Sequence, residues 1–210
     1  MRAPKVLGVL AGRDLAPGAL EAWLAWADLV IAADAGADLC RAAGREPDVI
    51  VGDLDSISDP TGLTPDPDQD SSDTDKLLAY FKENGILSPK IIGVEGDRLD
   101  HVIATLWSCA RQPGVYADLI LRTGSAKICG EGSILGRGAK GRVSLIPLEK
   151  SLVSLTGVRW PLQNAIIEPK GLVSLSNEVS EDRLSLSVHQ GTVALFLQTG
   201  ALPPPKLPNP

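Results

Sequence analysis

The chain has 210 residues, 44% of them hydrophobic and 22% charged, which is enough for one ordinary domain or two small ones and excludes wholesale disorder. Twenty Lys and Arg against 26 Asp and Glu give a net charge of −6, so there is no basic footprint for nucleic acid. Cys40, Cys109 and Cys129 are odd in number and include no C-x-x-C pair, which argues against a disulfide framework or a thiolate zinc site and predicts a reducing, cytoplasmic setting.

The apolar run over residues 1–11 is too short for a membrane span or for a signal segment with its cleavage site, so no membrane partner is expected. From there the chain alternates short apolar runs with helical patterns. Residues 5–10 read as a strand, 18–27 as a helix carrying Leu20, Trp23, Leu24 and Ala27, 29–33 as a strand, 37–43 as a helix closed by Gly44, and 49–51 as a very short strand. A helix follows over 73–84 with Gly85 as its stop, then a strand over 90–94, a helix over 99–111 and a strand over 119–122. Repeated strand–helix units predict an α/β domain over residues 1–123, with a mostly parallel sheet and helices on both faces.

Beyond residue 123 helical periodicity disappears. Short β-favouring stretches at 126–129, 143–146, 152–155, 165–167, 172–175, 184–188 and 193–197, separated by Gly, Pro, Asn and Ser, predict an all-β sandwich over residues 124–200. Five prolines between 203 and 210 read as an extended tail over 201–210.

Residues 46–75 hold ten acids and no Lys or Arg. Such an excess is either a solvated loop or a site that waits for cations. Gly52-Asp53-Leu54-Asp55-Ser56 and Asp34-Ala35-Gly36 each follow a strand directly, at the end of a parallel sheet where ligands bind. If the chain stays extended, Asp53 and Asp55 point to one side and can share a hard cation such as Mg²⁺ through oxygen. Asp68-Gln69-Asp70-Ser71-Ser72-Asp73-Thr74-Asp75-Lys76 opens a helix. Ser72 with Asp75 makes a capping box there, which leaves the upstream acids and Lys76 unexplained. In Gly96-Asp97-Arg98-Leu99-Asp100-His101, a guanidinium at a helix N-terminus suits phosphate. No P-loop motif is present and no G-x-G-x-x-G follows the first strand. The residues alone reach Mg²⁺-dependent phosphoryl chemistry and no substrate.

These clusters, together with Pro47-Asp48-Val49-Ile50-Val51, Thr156-Gly157-Val158-Arg159-Trp160-Pro161-Leu162 and Leu175-Ser176-Asn177-Glu178, resemble the motifs of the thiamin pyrophosphokinase family, in register up to about residue 197. The resemblance implies transfer of diphosphate from ATP to thiamin on a homodimer whose sites lie at the subunit interface. It further implies that Asp53, Asp55, Asp73 and Asp100 match the metal-binding carboxylates, with Asp73, Asp55, Arg98 and Asp100 as the catalytic set. Asp34, Gly36, Gln69, Ser72, Lys76, Arg98 and His101 would match the ATP and phosphate contacts, and Trp160, with Ser174 nearby, the thiamin contacts. Thiamin is a cation, and an indole face suits it. The chain departs from the pattern at Ala35 (usually Gly), Leu54 (usually Phe), Ser72 (usually Thr) and Thr105 (commonly Asn, so no polar contact is assigned to it). Two other readings stand beside this one: a binding protein of the same fold without turnover, and a Mg²⁺-dependent phosphohydrolase using Asp53 as nucleophile.

Overall fold

The computed structural model describes residues 2–12, 18–61, 65, 66, 68, 70–96 and 98–200. Gln69, Asp97 and the proline-rich tail, all named above, lie outside the described residues. The chain divides into two compact units, of which the first spans Met1–Arg122 and the second Thr123–Ala201.

In the first unit the order is β1 (Val6–Val9), α1 (Ala19–Trp26), β2 (Leu29–Ala33), α2 (Gly36–Ala42), β3 (Val49–Val51), α3 (Asp73–Glu83), β4 (Lys90–Ile92), α4 (Leu99–Arg111) and β5 (Asp118–Leu121). The strands pair in parallel in the order β5-β4-β1-β2-β3. Leu7 and Val9 of β1 lie beside Val30 and Ala32 of β2, and these four pack with Trp23 and Leu24 of α1 and Ala37 and Cys40 of α2 into one core. Burying a Leu or Val of this kind contributes about 1.5–3 kcal/mol. On the opposite face Gly8 leaves room for α3: a Cβ there would sit 3.0 Å from both Leu77 and Phe81. Helices therefore cover both faces, as the alternation predicts. Trp23 and Trp26 meet edge to face at 5.3 Å within the core, which accounts for two of the four tryptophans.

The connection from β3 through α3 returns across the sheet to β4, on the other side of β1. The strand order thus reverses between β1 and β4, and the crevice outside their C-terminal ends is where an open parallel sheet binds ligands. Strand β4 stops at Ile92 rather than at residue 94, because Gly93 turns with φ 76°. Its amide plane fits so closely against the chain leaving β1 that a Cβ would collide with the Leu10 carbonyl.

The second unit is a sandwich. One sheet runs β11 (Ser174–Glu178), β8 (Arg142–Pro147), β13 (Val193–Gln198), β6 (Gly124–Cys129), and the other β10 (Leu162–Ile167), β9 (Ser151–Thr156), β12 (Arg183–Gln190), β7 (Gly132–Arg137). Val143, Leu145, Val193 and Leu195 of one face Val153, Leu155, Leu184 and Leu186 of the other across a common core. Two differences from the sequence reading have physical causes. Strand β7 has no expected counterpart, because Gly132-Ser133-Ile134-Leu135-Gly136-Arg137 is an edge strand with a mostly exposed pattern, held by its register with β12. Strand β11 begins at Ser174 rather than at residue 172, since Leu172 and Val173 are exposed and the pairing with β8 starts at Ser174, opposite Leu145.

Candidate active site

Three segments leave the C-terminal ends of strands and carry acids into one crevice. After β3, Gly52 (φ 138°) and Leu54 (φ 64°) break the extended path, so Asp53 and Asp55 do not converge by strand alternation as expected. They converge through a turn, in which the Asp55 amide donates to Asp53 Oδ1 at 3.4 Å. A left-handed leucine is strained. Here the strain is offset by burial, because Leu54 and Ile57 join the core of the first unit. Asp38 of α2 holds the far side of the loop, accepting from both the amide and the hydroxyl of Ser58 at 2.8 and 2.7 Å. Burying Leu54 turns its charged neighbours outward.

After β2, Asp34 takes φ 45°, its amide donates to the Val51 carbonyl at 2.8 Å, and its side chain is buried. Carboxylate oxygens of Asp34, Asp53 and Asp55 lie within 4.8 Å of one another. An all-oxygen, anionic donor set of this kind fits a hard divalent cation such as Mg²⁺. Ala35 is in ordinary helical conformation (φ −58°), so its Cβ is accommodated. The residue that must lack a Cβ is Gly36, where one would collide with the Val9 carbonyl.

Helix α3 begins with the capping box read from the sequence. Ser72 Oγ accepts the Asp75 amide at 3.2 Å, and the Ser72 amide donates to Asp75 Oδ2 at 3.1 Å. Burial pushes the Asp75 carboxyl up, but hydrogen bonds from Ser72, Ser108 and Arg111 outweigh it and leave it below the usual range. Asp73, one residue into the helix, faces the crevice; burial first, then the charges of Asp34 and Asp53, raise its carboxyl above the usual range. Lys76, a cation near the unfavourable end of a helix, is explained by its surroundings: its buried Nζ lies 3.9 Å from Asp53 Oδ2 and 3.4 Å from the Asp66 carbonyl.

Arg98 is the N-cap residue of α4 and pairs with Asp100 at 2.7 Å, with both side chains largely exposed. The Arg98 guanidinium holds the Asp100 carboxyl below the usual range. Asp100 is therefore bonded to Arg98 rather than grouped with Asp34, Asp53 and Asp55. Arg98, His101, Asp73 and Thr105 line a cavity floored by Gly12 and Gly93 at the β1/β4 reversal. A second cavity, lined by Asp34, Asp53, Asp55, Ser72, Asp73 and Asp100, shares Asp73, Thr74, His101 and Thr105 with the first. The two form one continuous crevice with a carboxylate end and a guanidinium end.

Sequence reasoning missed three contributors. Gly12 leaves no mark in the motifs, yet a Cβ there would collide with the carbonyls of Gly93 and Glu95. Thr105, left without a polar contact above, is buried and lies 3.1 Å from the Thr74 hydroxyl, tying α4 to the first turn of α3. In the second unit, the buried Asn177 accepts the Trp160 amide at 3.1 Å and donates to its carbonyl at 2.7 Å. The Trp160 ring is 55% exposed, so it is not a core aromatic, and the Arg159 guanidinium lies 4.7 Å from its centroid. Ser174 opens β11 and is half-buried.

A model of the thiamin pyrophosphokinase catalytic domain matches residues 20–117, and a model of that family's vitamin B1 binding domain matches residues 136–193. The chain belongs to the thiamin pyrophosphokinase family. Thiamine pyrophosphokinase 3 of Oryza sativa subsp. japonica is 28% identical over 170 residues, covering 68% of this chain and 62% of that protein. Thiamine pyrophosphokinase 1 of Arabidopsis thaliana is 26% identical over 168 residues, covering 67% and 61%. The chain thus spans about three fifths of the length of these curated relatives. Among solved structures, the thiamine pyrophosphokinase of Bacillus subtilis superposes with a TM-score of 0.76 at 24% identity, over 93% of this chain and 99% of that one. The thiamin pyrophosphokinase of Candida albicans gives 0.76 at 15%, over 92% and 89%. At these identities the structures share the fold. Every carboxylate of the crevice falls inside the catalytic-domain match of the thiamin pyrophosphokinase family, and Trp160, Ser174 and Asn177 fall inside the vitamin B1 match.

Proposed function

We propose that the chain is a Mg²⁺-dependent ATP:thiamin diphosphotransferase that forms thiamin diphosphate and AMP. The observation that carries this reading is the continuous crevice at the β1/β4 reversal, with clustered carboxylates at one end and Arg98, His101 and the N-terminus of α4 at the other. A polyphosphate needs both: a basic end to bind oxygens directly, and an acidic end to bind them through a cation. Asp53 and Asp55 would hold Mg²⁺, which supplies charge neutralisation for the polyphosphate when bound.

The thiamin hydroxyl oxygen attacks the β-phosphorus, the bond from that phosphorus to the α–β bridging oxygen breaks, and AMP leaves with the electron pair. The hydroxyl proton passes to a carboxylate. Asp73 suits this step, because burial and like charge make it a stronger base than an ordinary aspartate. Arg98 and His101 bind phosphate oxygens, with Asp100 orienting Arg98 through their ion pair. Lys76 stands against Asp53 and steadies the acidic loop, while Gly36 and Ser72 border the nucleotide side, and Gln69 completes the phosphate contacts implied by the family motifs. Trp160 presents an exposed ring to the cationic thiamin, with Ser174 as the second contact implied by the family motifs, and the Arg159 guanidinium 4.7 Å from its centroid is in keeping with an affinity for cations.

The same reading takes the protein as a cytoplasmic homodimer in which Trp160 of one chain covers thiamin held by the other. Cys40, Cys109 and Cys129 are buried and are not joined in a disulfide, in keeping with a reducing compartment. Among the described residues no helix is long and apolar enough to cross a membrane. The test is chromatography of ATP incubated with the protein, with and without thiamin and Mg²⁺. AMP that requires both additions is the expected product, and ADP with inorganic phosphate as the main products overturns the assignment.

A further inference from the structure

Asp34 stands in the family motifs as a nucleotide contact, but its surroundings are those of a metal ligand. Its backbone is clamped on both sides: the amide donates to Val51 O at 2.8 Å, the carbonyl accepts the Ala37 amide at 2.9 Å, and Gly52 backs its Cβ so closely that a methyl there would sit 3.2 Å away. The side chain therefore has little freedom to choose its position. It is 4% exposed, and its Oδ1 is fully covered with no hydrogen-bond partner among the described residues.

A covered carboxylate oxygen without a donor is heavily penalised unless a cation meets it. The nearby protein cation does not do so, because Lys76 is directed to Asp53 and to the Asp66 carbonyl. What does face Asp34 is a pair of further carboxylates, Asp53 and Asp55, each with an oxygen within 4.8 Å. Three anionic oxygens within 4.8 Å of one another repel unless a multivalent cation lies between them. Asp100, the fourth metal ligand implied by the family motifs, is instead paired with Arg98 at 2.7 Å.

We propose that Asp34 is a direct ligand of the divalent cation, completing with Asp53 and Asp55 a three-carboxylate site. The proposal rests on the metal-dependent reading given above. It can be tested without turnover, using Mn²⁺ as a paramagnetic probe whose free form is counted by electron paramagnetic resonance during titration of the full chain without nucleotide.

Asp34→Asn should weaken Mn²⁺ binding at least tenfold, as Asp55→Asn should, and Mg²⁺ should raise the Tm of the parent chain but not of Asp34→Asn. Parent-like Mn²⁺ affinity in Asp34→Asn beside a loss in Asp55→Asn overturns the role of Asp34. A parent chain that binds no Mn²⁺ overturns both this proposal and the metal-dependent reading. Mn²⁺ binding that depends on Asp34 in a chain that forms no AMP supports the ligand and removes only the activity. Should Asp34→Asn fail to fold, anomalous scattering from parent crystals grown with Mn²⁺ decides: a peak about 2.1 Å from Asp34 Oδ1, the distance for a hard divalent ion on oxygen, supports it, and a peak bound by Asp53 and Asp55 alone overturns it.

Discussion

Asn177 holds Trp160 by both of its backbone polar groups, accepting from the amide at 3.1 Å and donating to the carbonyl at 2.7 Å. The indole is left exposed while its main chain is fixed, which is the arrangement of a residue presented for contact. The two substitutions should therefore separate. Trp160→Ala should leave the Tm nearly unchanged and weaken thiamin binding by roughly 0.5–2 kcal/mol, the range for a cation over an aromatic face. Asn177→Ala should lower stability by about 1–3 kcal/mol, because two hydrogen bonds from a buried amide, each worth about 0.5–1.5 kcal/mol, are lost, and should raise KM for thiamin with KM for ATP unchanged. Thermal melts and the two KM values check both outcomes.

Asp73 lies where stability and function oppose each other. Its carboxyl is raised above the usual range by burial and by Asp34 and Asp53, so the folded state favours the protonated form. The stability this contributes is fully present below the unfolded-state pKa and is lost as pH rises through the raised one. At neutral pH the ionised Asp73 strains the metal-free fold. Asp73→Asn should raise the Tm of the metal-free protein at pH 7, with the gain vanishing in acid, while turnover falls by about 10²–10⁴-fold if Asp73 accepts the hydroxyl proton. A lower Tm at pH 7 would contradict the electrostatic argument.

Thr74 and Thr105 join α3 to α4 through a buried hydroxyl pair at 3.1 Å, at the midpoint of the crevice. Replacing either by Val keeps the shape and leaves the other hydroxyl without its partner, at a cost of about 1–3 kcal/mol, whereas replacing both removes the unpaired group. The double variant should thus be more stable than the sum of the single losses predicts. A double-mutant cycle in denaturant measures the coupling, and strict additivity would show that the pair is incidental.

Much of this arrangement is legible in the chain. Strands β2 and β3 and helix α4 fall at the predicted residues, because an apolar run or a helical stripe bounded by clear breakers dictates its own limits. The capping box at Ser72 is local and so is read directly. What escapes the sequence is whatever depends on distant partners. Strand β7 exists through its pairing with β12, and the left-handed turn at Leu54 exists because the core of the first unit accepts its side chain. The same holds for the site. Acids following strands advertise the crevice, but the burial of Asp34 follows from the close approach of Gly52, and Gly12 matters only because the chain from β4 lies against it.

The proposed shared site makes a prediction that a self-contained chain does not. Trp160→Ala and Asp73→Asn, each impaired alone, should recover part of the activity when mixed under conditions that allow subunit exchange, because one of the two sites in a mixed dimer carries both native residues. Exchange demonstrated by mass spectrometry with no recovery would require each site to be built from one chain.

Transfer of an intact diphosphate is the central claim, and labelled ATP tests it most directly. With ATP carrying ³²P at the β position, or at the γ position in a parallel reaction, both labels should appear in thiamin diphosphate, at equal rates and only when Mg²⁺ and thiamin are present. Recovery of the β label in ADP and of the γ label in thiamin monophosphate or inorganic phosphate would contradict attack at the β-phosphorus.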